Sequence, residues 1–308
     1  MNVEALVDFW PLMHSIVLEF WEIIEPHIED AAIKNDIPIE LYYYSELGLD
    51  YFSVDDFQKR DPFSNPEQFE KMFARFEVQD WIFPTPDKRY KVYSKTRDGV
   101  RMIIGAGDAH LSDFDKISDG ELEHLAGLLK RLVTANLEAP EPPAKWAIIK
   151  RFHVTDVPSP LIVQIREALM DLFAYRDDAH LSAAHPHFGQ AGIVWNVLNS
   201  IASGSAVTAA QMAEIMSVRG YEAADYAIAI QAAVEIGWIE TAATPNSFRP
   251  TRKGSELRGQ VEKLTDEYFY HPWSVLTEGE TQTLYALLVK LHDGLIVYKK
   301  SVTGGSRL

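Results

Sequence analysis

Cysteine is absent from the 308 residues. That removes disulfides, thiolate nucleophiles and cysteine-ligated zinc, and it fits a reducing compartment. Cations are scarce: 29 Lys and Arg face 45 Asp and Glu, a formal net charge of −16. Gripping a phosphate backbone needs clustered Lys and Arg, so any nucleic-acid contact must come from a local basic patch working against the global field. Long apolar runs are missing too. The longest charge-free run, 181–213, holds two His, two Asn, two Gln and a Pro, which does not read as a membrane span. The opening MNVEALVDFW shows neither a basic n-region nor a small-residue cleavage site. A cytoplasmic protein with no membrane partner is expected.

Catalytic signatures are equally sparse. There is no Gly-x-Ser-x-Gly elbow and no phosphate loop, and Gly105–Gly107 is a lone short glycine pair. An enzyme of this composition would depend on His and carboxylates as general acid and base. It is the less favoured class, and no cofactor and no catalytic residue is assigned.

The chain does contain a repeat. ISDGELEHLAGLLKRL (Ile117–Leu132) aligns with LTEGETQTLYALLVKL (Leu276–Leu291) at an offset of 159. KTRDG (Lys95–Gly99) aligns with PTRKG (Pro250–Gly254) at 155, Trp81 with Trp238 at 157, and Ser53–Phe57 with Thr208–Met212 at 155. Four matches in one order point to an internal duplication. The halves are 1–138 and 147–308, joined by the Pro-rich linker 139–146, whose prolines cannot continue a helix. The pentapeptide Asp-Ala-His-Leu-Ser, at 108–112 and 178–182, lies outside this register, its copies being offset by only 70. In register, Asp178-Ala179-His180 corresponds to Glu25-Pro26-His27, offset 153. His110 is expected to be a surface or capping residue.

The second half is the clearer copy. Apolar spacing predicts helices over Pro160–Tyr175 and the AGIVWNVLNSI segment. Thr208 caps a further helix, VRGY supplies a turn, and Glu222–Ile236 forms the next helix, ended by Gly237. A short hairpin with Pro245-Asn246-Ser247 at its tip leads into two more helices. Helix, turn, helix and wing is the order of a winged helix-turn-helix.

With its flanking helices this pattern resembles the MarR-type regulators, which normally work as homodimers. Arg176, Asp178, His180, Arg219, Gly220, Tyr221, Thr265, Asp266, Pro272 and Trp273 also resemble the motif residues of the SalK-type helix-turn-helix proteins, over about residues 160–295. The resemblance implies a mainly α fold with small β-wings, built as two MarR-like winged-helix halves forming an intrachain pseudo-dimer. The molecule would be a monomeric pseudo-dimer or a homodimer.

The same fold implies a second helix in the DNA major groove. The second-half candidate has no Lys or Arg; the first-half candidate, Asn65–Val78, has Lys71 and Arg75 among three glutamates. The wings are richer, with Lys88, Arg89, Lys91 and Arg97 in the first and Arg249, Arg252 and Lys253 in the second. They could grip phosphates or be ordinary solvated hairpins.

A small-molecule pocket between helices is the other expectation. Its candidate residues are Glu25, His27 and Tyr43 in the first half and Arg176, Asp178, His180, His185, His187 and Trp195 in the second. Pro186 is expected to keep one regular helix from presenting all three second-half histidines. Their spacing matches no established metal site, and no metal is assigned. A pH-responsive or ligand-binding cluster and plain packing remain open. The leading expectation is a ligand-responsive winged-helix transcriptional regulator with DNA and a small molecule as partners. The alternatives are a helix-turn-helix-derived protein that has lost DNA binding and binds or transforms a small molecule between its halves, and a partner-binding module with an acidic surface.

Overall fold

The computed structural model describes residues 6–42, 51–151, 159–189, 191–244 and 247–303. The first half runs α1 (Phe9–Lys34), β1 (Tyr51–Phe52), α2 (Val54–Arg60), α3 (Pro66–Val78), β2 (Ile82–Pro84), β3 (Tyr90–Val92), α4 (Ser94–Ala109) and α5 (Asp119–Glu138). After the short α6 (Ala147–Lys150) come α7 (Leu161–Phe188), α8 (Gly192–Ser203), α9 (Ala209–Ile215), α10 (Ala223–Glu235), β4 (Ile239–Thr241), β5 (Phe248–Pro250), α11 (Arg252–Tyr270) and α12 (Glu278–Thr303). Among the described residues no helix is long and apolar enough to cross a membrane.

Local chemistry explains where elements begin. Ser53 and Thr208 form reciprocal capping boxes with Asp56 and Gln211 at α2 and α9. Ser118 does the same with Glu121 at α5, and Thr277 exchanges hydrogen bonds with Glu280 at the start of α12. The element order recurs along the chain. Val54 and Ala209, Pro66 and Ala223, Ile82 and Ile239, Ser94 and Arg252, and Asp119 and Glu278 open corresponding elements, at offsets of 155, 157, 157, 158 and 159.

Two expectations need correction. Helix α7 does not stop at Tyr175 but continues through Pro186 to Phe188, so one helix carries His180, His185 and His187. Pro186 falls in its last turn, where little helix remains to be disrupted, and Gly189, at φ +54°, ends it. The first wing also has a third strand: β1 pairs antiparallel with β3, giving the order β1-β3-β2. The second wing is the two-stranded β4-β5 hairpin.

In space the chain forms two compact units, 1–49 with 94–179 and 266–308, and 50–93 with 180–265. Each sequence half contributes to both. In the first unit α1 packs on α4 and α12. Gly107 permits the close approach, since a Cβ there would lie 2.9 Å from the Ile28 side chain. Leu284, Leu288, Leu291 and Leu295 form a fully buried stripe along α12, at the i, i+4, i+7 spacing of a core-facing helix. Each such leucine contributes about 1.5–3 kcal/mol on burial. Buried charges also occur here. Arg166 lies 2.7 Å from both Asp108 and Glu167, and Arg151 lies 2.9 Å from Glu167 and 2.7 Å from Asp171. Burial raises the Asp108 carboxyl, and the Arg166 guanidinium opposes that shift.

The second unit holds both helix–turn–helix segments, α2–α3 and α9–α10, each with its short antiparallel sheet. In the first, Phe73 meets Phe52 and Phe57 edge-on at 5.1 and 4.8 Å, and Phe52 and Phe57 are tilted to one another at 5.6 Å. Trp195, Met212, Tyr226 and Trp238 centre the core of the second.

Candidate functional site

The β2–β3 wing turns at Lys88, whose φ is +62°. Thr85 closes the turn by donating its backbone N–H to the Arg89 carbonyl at 2.8 Å. Lys88 and Arg89 are exposed at the tip and Lys91 is half-buried on β3. Arg89 donates to the Tyr51 carbonyl at 3.0 Å. Its guanidinium and the Lys91 ammonium sit 5.5 and 5.2 Å from the Tyr51 ring, within cation–π reach. The first wing therefore sets two cations, Arg89 and Lys91, against the Tyr51 ring and a third, Lys88, at its exposed tip. Arg97 is half-buried in the first turn of α4.

The second wing is differently engaged. Arg249 faces Glu240 across the hairpin at 2.8 Å, Arg252 pairs with Glu256 at 2.7 Å, and Lys253 donates to the Ile236 carbonyl at 2.6 Å. Residues 82–93 carry three cations against one acid, Asp87; residues 239–251 carry one of each, Arg249 and Glu240.

The two helices that would enter a groove also differ. The outer face of α10 consists of Ala223, Ala224, Ala227, Ile228, Gln231 and Glu235, and Ile228 is 72% exposed. On α3, Lys71 and Arg75 are exposed; Lys71 lies 3.7 Å from Glu67, and Arg75 lies 5.6 Å from the Phe76 ring. The unit that carries both wings holds little of the negative charge: sixteen Asp and Glu against thirteen Lys and Arg, a net −3 of the chain's −16.

The residues nominated for a ligand fall into separate settings. In the first unit, Arg176 is buried, bonded to Asp266 at 2.8 Å, with its guanidinium 4.4 Å from the Trp10 ring. Asp178, 2% exposed, accepts the Trp146, Ala147 and Ile148 backbone N–H groups at 2.7–3.0 Å and so caps α6. Glu25 and His27 are half-buried on α1. His27 stacks on His110, with ring centroids 3.3 Å apart and planes 9° apart. Burial lowers the His27 pKa, His110 lowers it further, and Asp30 opposes both.

In the second unit, His180 Nδ1 lies 3.4 Å from Thr265 Oγ1 and 3.8 Å from Glu262, and the ring is 6.3 Å from Trp195. Trp195 is fully buried in the core, while His185 and His187 are exposed. Tyr43 lies outside the described residues. No group of three or more metal-ligating side chains is clustered among the described residues.

A cavity of about 260 Å³ opens in the first unit, lined by residues that include Arg101, Asp108, Ser112, Ser159 and Val163. Sequence reasoning does not nominate it. Its polar wall joins Asp108 and Ser112 to Ser159, from segments distant in the chain, and no local pattern links them.

Residues 101–299 match a protein family described as a helix-turn-helix family. No curated protein and no solved structure matches the chain. The matched span contains the second winged arrangement entire and begins within α4, after the first wing.

Proposed function

Because the chain belongs to that helix-turn-helix family, we propose that it is a winged-helix transcriptional regulator of MarR-like build that binds duplex DNA and responds to a small molecule. The observation that carries the DNA part is the basic first wing, Arg89 and Lys91 beside Tyr51 and Lys88 at the tip, in a unit whose net charge is only −3. The field opposing a phosphate backbone is thus weak at the place where contact would be made.

The intrachain pseudo-dimer is part of the same proposal. It is supported by two ion pairs that repeat one another. Arg131 pairs with Glu280, and Lys290 pairs with Glu121 at 2.6 Å. Glu121 and Glu280 are related by an offset of 159, and so are Arg131 and Lys290. Reciprocity of this kind, i with j′ and i′ with j, is the mark of a twofold interface. Duplication of one winged half, followed by divergence, accounts for it.

For the ligand, the cavity beside Asp108 is the candidate. Of the residues nominated from sequence, Glu25, His27, His180, His185 and His187 are at least partly exposed. Arg176, Asp178 and Trp195 serve the protein interior.

The test is retardation of the DNA upstream of the chain's own gene, titrated with salt. Binding that weakens steeply between about 50 and 200 mM salt is expected for a phosphate-gripping protein. No retardation at low salt would remove DNA binding. A second reading has its own support: the cation-free face of α10 suits a protein that has lost DNA binding and keeps a small-molecule site. That reading predicts no retardation, together with a thermal shift on binding a compound.

A further inference from the structure

We propose that only the first half touches DNA and that the second helix-turn-helix serves as a bracket fixing the first-half recognition helix α3. This rests on the regulator reading and specifies how the site works.

The contacts that carry it all lie within the second unit. The turn between α9 and α10 presents its carbonyls to the start of α3. Asn65 donates its backbone N–H to Arg219 O at 2.8 Å and its side-chain amide to Gly220 O at 3.1 Å, and Gln68 donates to Val218 O at 3.3 Å. Arg219 reaches Asp61 at 3.0 Å and lies 5.5 Å from the Phe63 ring. Gly220 sits at φ +70°, and a Cβ there would lie 2.7 Å from Gln68. Just upstream of α3, Asn196 donates to Phe63 O at 3.0 Å, and a Cβ on Gly192 would fall 2.1 Å from Pro62 O. Segment 61–68, which feeds α3, is therefore held at each step by the second half. The contact covers the second-half turn and the start of α3 alike. The first-half surface left open to a duplex is therefore the later part of α3, with Lys71 and Arg75, together with the wing.

The remaining surfaces agree. Helix α10 shows alanines, Ile228, Gln231 and Glu235 to solvent, with no cation. A phosphate approaching the second wing would meet Glu240 and Glu256 together with Arg249 and Arg252. The first wing has an excess of two positive charges over residues 82–93, and α3 adds exposed Lys71 and Arg75. The partner is duplex DNA contacted on one side. The bound site should thus be one half-site without dyad symmetry, whereas two reading heads would impose a pseudo-palindrome.

Salt-titrated binding of the full chain and two triple variants tests this. Lys88→Ala/Arg89→Ala/Lys91→Ala is expected to lose at least tenfold in affinity and to reduce the slope of log K against log salt by about 2.7, at ~0.9 per phosphate contact. Arg249→Ala/Arg252→Ala/Lys253→Ala is expected to stay within twofold of the parent. Arg219→Ala should weaken binding while leaving the slope unchanged, because a bracket residue gives up no phosphate contact; a slope reduced by about 1 would make it a DNA contact. Thermal melts confirm that each variant is folded. If the parent binds no duplex, the regulator reading falls and this inference with it. If the parent binds but the second-wing variant loses as much as the first-wing variant, or the footprint is dyad-symmetric, the inference falls and the regulator reading stands.

Discussion

His27 and His110 stack at 3.3 Å, and two imidazolium rings at that distance would repel. With burial as the larger cause and His110 as the second, the His27 midpoint lies below 6.5. The sign follows from which state binds the proton more readily. Between the lowered folded value and 6.5 the unfolded chain takes up more protons, so the contribution to stability is complete above pH 6.5 and is lost as pH falls from there through the folded midpoint. NMR titration should find His27 below 6.5 in the parent. In His110→Ala it should rise part of the way back, because burial remains. A parent midpoint at or above 6.5 would contradict the stacked geometry. The sequence register singles out His27 as the counterpart of His180, but it gives His110 no part in a pair. The stack joins α1 to the residue that follows α4, and no period in the sequence links the two. The same holds for Asp178: its pattern nominates it as a ligand residue, and only the tertiary structure shows its carboxylate capping α6.

At the scale of elements, caps and repeats are readable because their chemistry is local. Thr208 caps the helix expected after it, and Ser53, Ser118 and Thr277 cap α2, α5 and α12 by the same chemistry. The Thr-x-x-Gly after the second wing has a concrete role. Thr251 Oγ1 accepts the Gly254 N–H at 3.1 Å, and a Cβ on Gly254 would fall 2.1 Å from the Trp238 carbonyl. Backbone cannot swing aside as a flexible side chain can, so Gly254→Ala should destabilise by about 1–3 kcal/mol, the usual cost of overpacking. Gly259, on the same α11, has nothing within 4 Å of its Cβ position. Gly259→Ala should stabilise by about 0.5–1 kcal/mol by favouring the helix. Thermal melts of the two variants should move in opposite directions, and a shared direction would refute the packing argument. Strand β1 escapes sequence reading because two residues are too few to show alternation. Helix α7 reads short from sequence because Arg176, Asp177 and Asp178 interrupt the apolar spacing after Tyr175, and because a proline in a last turn looks the same as one that breaks a helix.

Over the whole molecule, the proposed duplication rests in sequence on four short matches, whereas its consequence in three dimensions is not legible there. Sequence spacing can align Glu121 with Glu280 and Arg131 with Lys290, but it cannot say that each carboxylate meets the other half's cation. That pairing supplies the sharpest test of the pseudo-dimer. Both carboxyls are held down to about 2, Glu121 chiefly by its bond from Lys290 and Glu280 chiefly by its bond from Arg131. A lowered carboxyl stabilises the fold above its unfolded value of 4.5 and ceases to do so as pH falls through about 2. Two residues in equivalent environments must titrate together, so NMR should place both midpoints near 2. Lys290→Ala should release Glu121 towards 4.5 and leave Glu280 where it is; Arg131→Ala should do the reverse. Glu121→Gln and Glu280→Gln should each flatten the acid side of the stability profile by similar amounts, and the double variant should add the two effects, since the pairs share no atoms. If one carboxyl titrates near 4.5 in the parent while the other stays near 2, the two halves do not meet through equivalent surfaces, and the duplication would survive only as a relation between sequences.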